Sequence, residues 1–274
     1  ASDYDESANK LYELPLPAAV KVPDDAQTLA RGKHLTESIG GCTACHGDTM
    51  GGGNEEPMGP MGEVVHPNVT SGGKLAEYSD PELMRLLRHG VKRDGKTVRL
   101  MPVYEIAWWP DADRLAVIAY LRSLPERKGQ PGKVEVSMFG KVLDRLGSVP
   151  FDVARRVDHT APPATVTAAP TAEYGELLAI ACKGCHGEEH LAGGRIPGAP
   201  PELPVPLNLT PHETGLKGWT YDDFVQVVKS GNRKDGRKLD AFMPVSALRN
   251  FNETELKALW AYLAALPPVE FGKR

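Results

Sequence analysis

The sequence predicts an all-α protein built twice. Three observations carry this expectation. The pentapeptide Cys-x-x-Cys-His occurs at Cys42–His46 and again at Cys182–His186. A series of shared residues follows each copy in the same order. Apolar residues recur at helical spacing, and no stretch sustains strand alternation. When Cys182 is laid on Cys42, an offset of 140, Asn68-Val69-Thr70 falls on Asn208-Leu209-Thr210. At offsets of 141 and 142, Gly90 matches Gly231, Met101-Pro102 matches Met243-Pro244, Tyr120-Leu121 matches Tyr262-Leu263, and Leu124-Pro125 matches Leu266-Pro267.

Taken in order, helices are expected from Asp25 to Ile39 and from Thr171 to Ala181, each leading into a cysteine motif. Ser79-x-x-Glu82 and Thr220-x-x-Asp223 have the form of capping boxes and start helices that stop at Gly90 and Gly231. The last helix of each unit runs from Asp111 to Leu124 and from Asn252 to Leu266, with Pro125 and Pro267 as stops. These elements divide the chain into a first domain at 1–130, a linker at 131–170 and a second domain at 171–274. Ala161–Pro170 is rich in Pro, Ala and Thr and is expected to be extended and partly stiff. Just before it, Val136, Phe139, Val142, Leu143 and Leu146 keep the spacing of a short amphipathic helix, free to pack on either domain.

Composition narrows the function. The chain has 274 residues, 41% hydrophobic and 25% charged, which is a globular balance. Its 32 basic and 36 acidic residues give a net charge of −4, so there is no electrostatic case for a nucleic-acid partner. No apolar run approaches the ~18 residues of a membrane span. The sequence begins at Ala1 rather than Met, which is compatible with removal of a signal peptide or anchor; any membrane association would come from a segment outside this chain.

The four cysteines carry the chemistry. Cys42 and Cys45, like Cys182 and Cys185, are spaced to form thioethers with the two vinyl groups of one porphyrin. His46 and His186 then follow at once to ligate the iron. A zinc site, a dithiol redox pair or a disulfide leaves the repeated histidine unexplained. Two covalently bound c-type haems are therefore the expected cofactors.

The sixth iron ligand separates electron carriage from ligand chemistry. Met243 is the only methionine after Met138, and Pro244 stiffens its loop. A thioether there is a soft neutral ligand that favours ferrous iron. Met101, with Pro102, is the match in the first unit. Met50, Met58, Met61, Met84 and His66 compete with it, and the Met58-Gly-Pro-Met61 loop is expected to be flexible. Met84 is expected in the core, while His34, His89, His159, His190 and His212 read as surface residues. Basic residues precede each methionine: Arg85, Arg88, Lys92, Arg93, Lys96 and Arg99, then Lys229, Arg233, Lys234, Arg237 and Lys238. Some could neutralise haem propionates or dock a partner, and solvated helix ends account for them equally well.

With these motifs in view, the chain resembles tandem class I c-type cytochromes. The run Asn208–Gly215, then Gly218-Trp219-Thr220, Asp235-Gly236 and Phe242-Met243-Pro244, is similar to the multihaem cytochrome subunits of bacterial membrane-bound alcohol and gluconate dehydrogenases. The resemblance implies a small helical cup around each haem, with Gly32 and Gly175 packed close to Tyr120 and Tyr262. It also implies a bacterial periplasmic location and electron transfer from a dehydrogenase donor to an oxidase or cytochrome acceptor. Those subunits usually carry three haems and an anchor, whereas this sequence shows two motifs and no anchor. The expected function is electron carriage without catalysis. The alternative is a di-haem peroxidase with one haem that opens to substrate, against which both units keep the same Met-Pro.

Overall fold

The computed structural model describes residues 12–147, 151–197, 199 and 201–274. It divides into two compact units, Ala1–Ala164 and Thr165–Arg274.

In the first unit, α1 (Ala26–Glu37) begins at Asp25, whose carboxylate accepts the Thr28 N–H at 3.0 Å. The single turn α2 (Cys42–His46) is set off from α1 by Gly41 in the left-handed region, φ +55°. β1 (Glu55–Pro57) and β2 (Gly62–Val65) form a hairpin. α3 (Asp80–His89) starts in the Ser79/Glu82 capping box and stops at Gly90. α4 (Val103–Ile106) is one turn after Met101-Pro102, and α5 (Asp111–Ser123) returns across α1. β3 (Lys133–Val136) and α6 (Met138–Arg145) follow.

The second unit repeats the helical frame. α7 (Ala172–His186) runs unbroken through the cysteine motif, five residues beyond the Ala181 expected from the sequence. α8 (Tyr221–Ser230) starts in the Thr220/Asp223 capping box, α9 (Val245–Leu248) follows Met243-Pro244, and α10 (Glu253–Ala265) packs on α7. Leu256, Leu259 and Leu263 line the buried face of α10, each burial contributing about 1.5–3 kcal/mol.

In each unit two helices cross at a glycine, α1 with α5 and α7 with α10. A Cβ on Gly32 would lie 1.9 Å from the Ala116 carbonyl oxygen and 2.8 Å from Tyr120 Cβ. A Cβ on Gly175 would lie 2.0 Å from the Ala258 oxygen and 2.8 Å from Tyr262 Cβ. The close packing near both tyrosines is as the resemblance implied.

Two expectations need correction. The fold is helical but not all-α. β1, β2 and β3 form an antiparallel sheet in that order, with Val64 opposite Val134 and Gly62 opposite Val136. Strands of three or four residues are stabilised by the hydrogen-bond ladder, and only Val64 of the sheet's valines is fully buried, so no long alternation is needed.

The segment expected to be a linker is packed on the first unit as far as residue 164. β3 completes the sheet, and Phe151, Val153, Ala154 and Val157 are buried. α6 lies where the periodicity placed it but turns Gly140 and Asp144 inward, leaving Met138, Phe139, Val142 and Leu146 exposed. Asp144 accepts the Phe151 N–H at 3.0 Å and meets Arg155 at 3.7 Å, which fixes that orientation.

Candidate haem sites

Each cysteine motif occupies a helical turn that places its histidine against a backbone carbonyl. His46 donates from Nδ1 to the Pro67 carbonyl at 2.9 Å, and His186 donates from Nδ1 to the Leu207 carbonyl at 2.7 Å. That bond fixes the tautomer and leaves Nε2 with its lone pair for a metal. Burial lowers both histidine pKa values; the carbonyl bond opposes the shift, while His66 near His46 and Arg274 near His186 add to it. A neutral, oriented, buried imidazole is what an iron ligand requires.

The accepting carbonyl is itself held in place. Asn68 Oδ1 accepts the Thr70 N–H at 2.9 Å and the Thr70 hydroxyl at 2.8 Å, and Asn208 with Thr210 repeats both distances. The amide nitrogens donate to the Arg127 and Val269 carbonyls at 2.6 and 2.8 Å. All four side chains are buried. The Asn-x-Thr repeat read in the sequence thus follows directly on the carbonyl that holds each motif histidine, a place that its spacing alone did not disclose.

Cys42, Cys45, Cys182 and Cys185 are all half-buried. Burial, and then the neighbouring Cys45, push the Cys42 thiol up to about 12, the opposite of the depressed thiol of a redox dithiol. Among the described residues no group of three or more His, Cys, Asp and Glu is arranged to hold a bare metal ion. The donor set of paired cysteines with a carbonyl-locked histidine fits a covalently attached haem.

The two candidate sixth ligands share one backbone geometry. Pro102 has φ −78° and ψ 58°, Pro244 has φ −76° and ψ 59°. The Val103 and Val245 N–H groups donate to the Met101 and Met243 carbonyls, both at 2.7 Å.

The competing residues have other places. Met50 is buried at φ 57°, and its carbonyl accepts the Val69 N–H. Leu191 does the same with Leu209 at φ 56°, so Met50 fills a leucine's position. Met84 is buried on α3, as expected. Met58 and Met61 form the turn of the β1–β2 hairpin, where the Met61 carbonyl accepts the Ser137 N–H at 2.8 Å; the loop is built into the sheet. His66 stands edge-on to His46 at 6.1 Å, one residue before the carbonyl that holds Nδ1.

Two histidines expected at the surface are paired instead. One Nδ1 of His89 and His159 donates to the other at 3.1 Å. Burial, then His159 and three arginines, lower His89 to about 4. Glu105 on α4 was not singled out by the sequence; burial raises it to about 7 against the opposing pull of Arg156. Most of the basic clusters are committed within the protein. Arg85, Arg88 and Arg93 donate to backbone carbonyls, and Arg233, Lys234 and Arg237 pair with Asp235 or Asp223.

A cysteine pair on a helical turn, closed by a histidine locked through Nδ1, defines the class of haem-attaching electron-transfer domains. Comparison agrees with that geometry. Residues 29–125 match the family described as cytochrome c, and residues 169–263 match cytochrome c oxidase, cbb3-type, subunit III. The chain carries two cytochrome c domains in tandem.

Among curated proteins it is 26% identical to the cytochrome c subunit of alcohol dehydrogenase (quinone) from Gluconacetobacter polyoxogenes, over 92% of this chain and 59% of that one. It is 31% identical to the fructose dehydrogenase cytochrome subunit from Gluconobacter japonicus, over 39% of this chain and 24% of that one. It is 36% identical to the gluconate 2-dehydrogenase cytochrome c subunit from Pantoea cypripedii, over 32% and 21%. The chain spans less than two thirds of the length of each of these relatives.

Proposed function

We propose that the chain is a di-haem electron carrier, the cytochrome component of a periplasmic or membrane dehydrogenase, passing electrons to a terminal acceptor. Cys42 and Cys45, then Cys182 and Cys185, attach the haems; His46 with Met101, and His186 with Met243, ligate the irons. The observation that carries this reading is the duplicated Met-Pro turn, matched in dihedral angles and hydrogen bonding between the two units.

The haems supply reversible one-electron chemistry when bound. The protein orients His46 and His186 through Pro67 and Leu207, keeps both imidazoles neutral, and presents each methionine on a stiff turn. His66 precedes Pro67, whose carbonyl holds His46 Nδ1, and stands edge-on to the His46 ring at 6.1 Å. Met50 and Met84 are buried in the core, and the backbone of Met58 and Met61 is bonded into the hairpin turn. In its favour, the relatives named above are cytochrome subunits of dehydrogenases.

The test is an optical spectrum of the purified holoprotein, oxidised and reduced. Two low-spin haems with a methionine-to-ferric charge-transfer band, unreactive with carbon monoxide, are expected. A high-spin haem in the untreated protein, or peroxide turnover, would displace the carrier reading in favour of the peroxidase.

A further inference from the structure

The two methionine turns are alike in backbone and unlike in cover. In the first unit, residues 151–164 form a strap over residues 97–108. Val153 and Val157 pack with Val98, Val103 and Ala107, and Met101 and Tyr104 rest on the same cluster. The strap is pinned along its length. The Ala154 N–H donates to Thr97 Oγ1 at 3.0 Å, and the Ala164 N–H donates to the Trp108 carbonyl at 2.7 Å. Arg88 joins the Ala107 and Ala161 carbonyls, and Arg156 lies 4.0 Å from the centre of the Tyr104 ring.

Among the described residues no strap covers the matching turn in the second unit. Asp240, Ala241, Phe242, Pro244 and Ser246 are exposed or half-exposed, Phe242 to 50%. Around Met243 itself the bonds are short-range, the Phe242 N–H to Asp240 Oδ1 at 2.9 Å, the Met243 N–H to the Asp240 carbonyl at 3.0 Å and the Val245 N–H to the Met243 carbonyl at 2.7 Å; farther along, Lys229 donates to the Arg249 and Phe251 carbonyls at 2.6 Å, as Arg88 does to Ala107.

We infer that the second haem is an exchange site, where a small nitrogen or carbon donor such as imidazole or cyanide replaces Met243, while the strap clamps Met101 on the first. The inference rests on the His/Met reading above. In the exchange the iron–sulfur bond breaks and an iron–nitrogen or iron–carbon bond forms, with the iron ferric throughout and the thioether released neutral. Lifting a methionine requires its loop to open. The Met243 turn opens by breaking local bonds, whereas the Met101 turn must also break the strap's anchors and expose an apolar cluster. Local opening is easiest where buried apolar contacts and long-range hydrogen bonds are fewest.

The test is cyanide binding to the ferric holoprotein, followed by loss of the charge-transfer band. Wild type should lose the band in two phases, about tenfold or more apart in rate. Met243→His, which substitutes a strongly binding imidazole, should abolish the fast phase and leave the slow one. Val153→Ala with Val157→Ala should bring the slow phase towards the fast. A fast phase that survives Met243→His, or a single rate for both haems, overturns the inference and leaves His/Met ligation intact. A slow phase indifferent to the valine substitutions overturns the clamp; should that variant not fold, Met243→His decides. Absence of any charge-transfer band in wild type removes the ligation reading and this inference with it.

Discussion

Gly175→Ala probes the helix crossing on which the candidate haem site of the second unit is built. The added methyl carbon would stand 2.0 Å from the Ala258 carbonyl oxygen, 2.5 Å from its carbon and 2.8 Å from Tyr262 Cβ. Ordinary contact begins near 3.4 Å, so α7 and α10 must separate by more than an ångström. Overpacking of this kind costs about 1–3 kcal/mol or more, because the obstacle is backbone and cannot rotate away. Alanine regains about 1 kcal/mol of helix propensity. With a clash this deep, the net expectation is a loss of about 2 kcal/mol, or a fall in melting temperature of about 8 °C for a unit of this size. The strain should also reach the iron, because α7 continues without a break from Gly175 to His186. Gly32→Ala meets the same clash, but α1 ends at Glu37 and Gly41 turns the chain before His46. The assay is thermal unfolding of the holoprotein by circular dichroism, with the charge-transfer band recorded below the transition. Gly175→Ala should weaken the band, and Gly32→Ala should destabilise with less effect on it. A neutral or stabilising Gly175→Ala would refute the crossing.

Met243→Ala should convert one haem to a high-spin form that binds carbon monoxide, and Met101→Ala should do so for the other; an unchanged ferric spectrum removes that methionine as a ligand. Asn208→Ala removes the acceptor of two Thr210 bonds and the donor to Val269, at about 2–3 kcal/mol, measured as a lower urea midpoint. It should also loosen the Leu207 carbonyl that orients His186. His89 is held at about 4 against an ordinary 6.5, so the unfolded chain binds more protons between those values. Its contribution is complete above about pH 6.5 and is lost as pH falls towards 4. Urea midpoints at pH 7 and pH 5 should differ more in wild type than in His89→Gln, and equal differences would count against the buried pair.

The helical frame was legible because each signal is local and occurs twice. Capping boxes, glycine stops and proline stops each depend on residues within one turn, and the repeat removed accidental matches. Gly32 and Gly175 were placed near their tyrosines by resemblance, and the crossing geometry agrees. The sheet was not legible. Glu55-Glu56-Pro57 has no apolar alternation, and β3 pairs across seventy residues, from Val134 to Val64. Lys133-Val-Glu-Val136 is an alternation of four residues, too short to distinguish from the start of α6.

The strap was hidden by composition. Pro, Ala and Thr at 161–170 do give extended chain, but Phe151, Val153 and Val157 just upstream were the apolar signal that this chain is packed. At the site, the cysteines and histidines announced themselves through spacing. The Pro67 and Leu207 carbonyls did not, because any residue supplies a carbonyl and only the fold selects which one. The His89–His159 pair was equally silent, its members seventy residues apart.

The strap also has a consequence for the order in which the chain closes. The 97–108 turn precedes the segment that covers it by some fifty residues, and the bond from Ala154 to Thr97 spans 57 positions. The bond from Tyr12 to Asp152 spans 140. Loops of that length form late, since their closure entropy must be met before the contacts that reward it. With the strap unlatched, the first methionine turn would lose the cover of Val153 and Val157 and its bond from Ala154 to Thr97. Although it comes first along the chain, the first unit is the one whose closure depends on a distant segment.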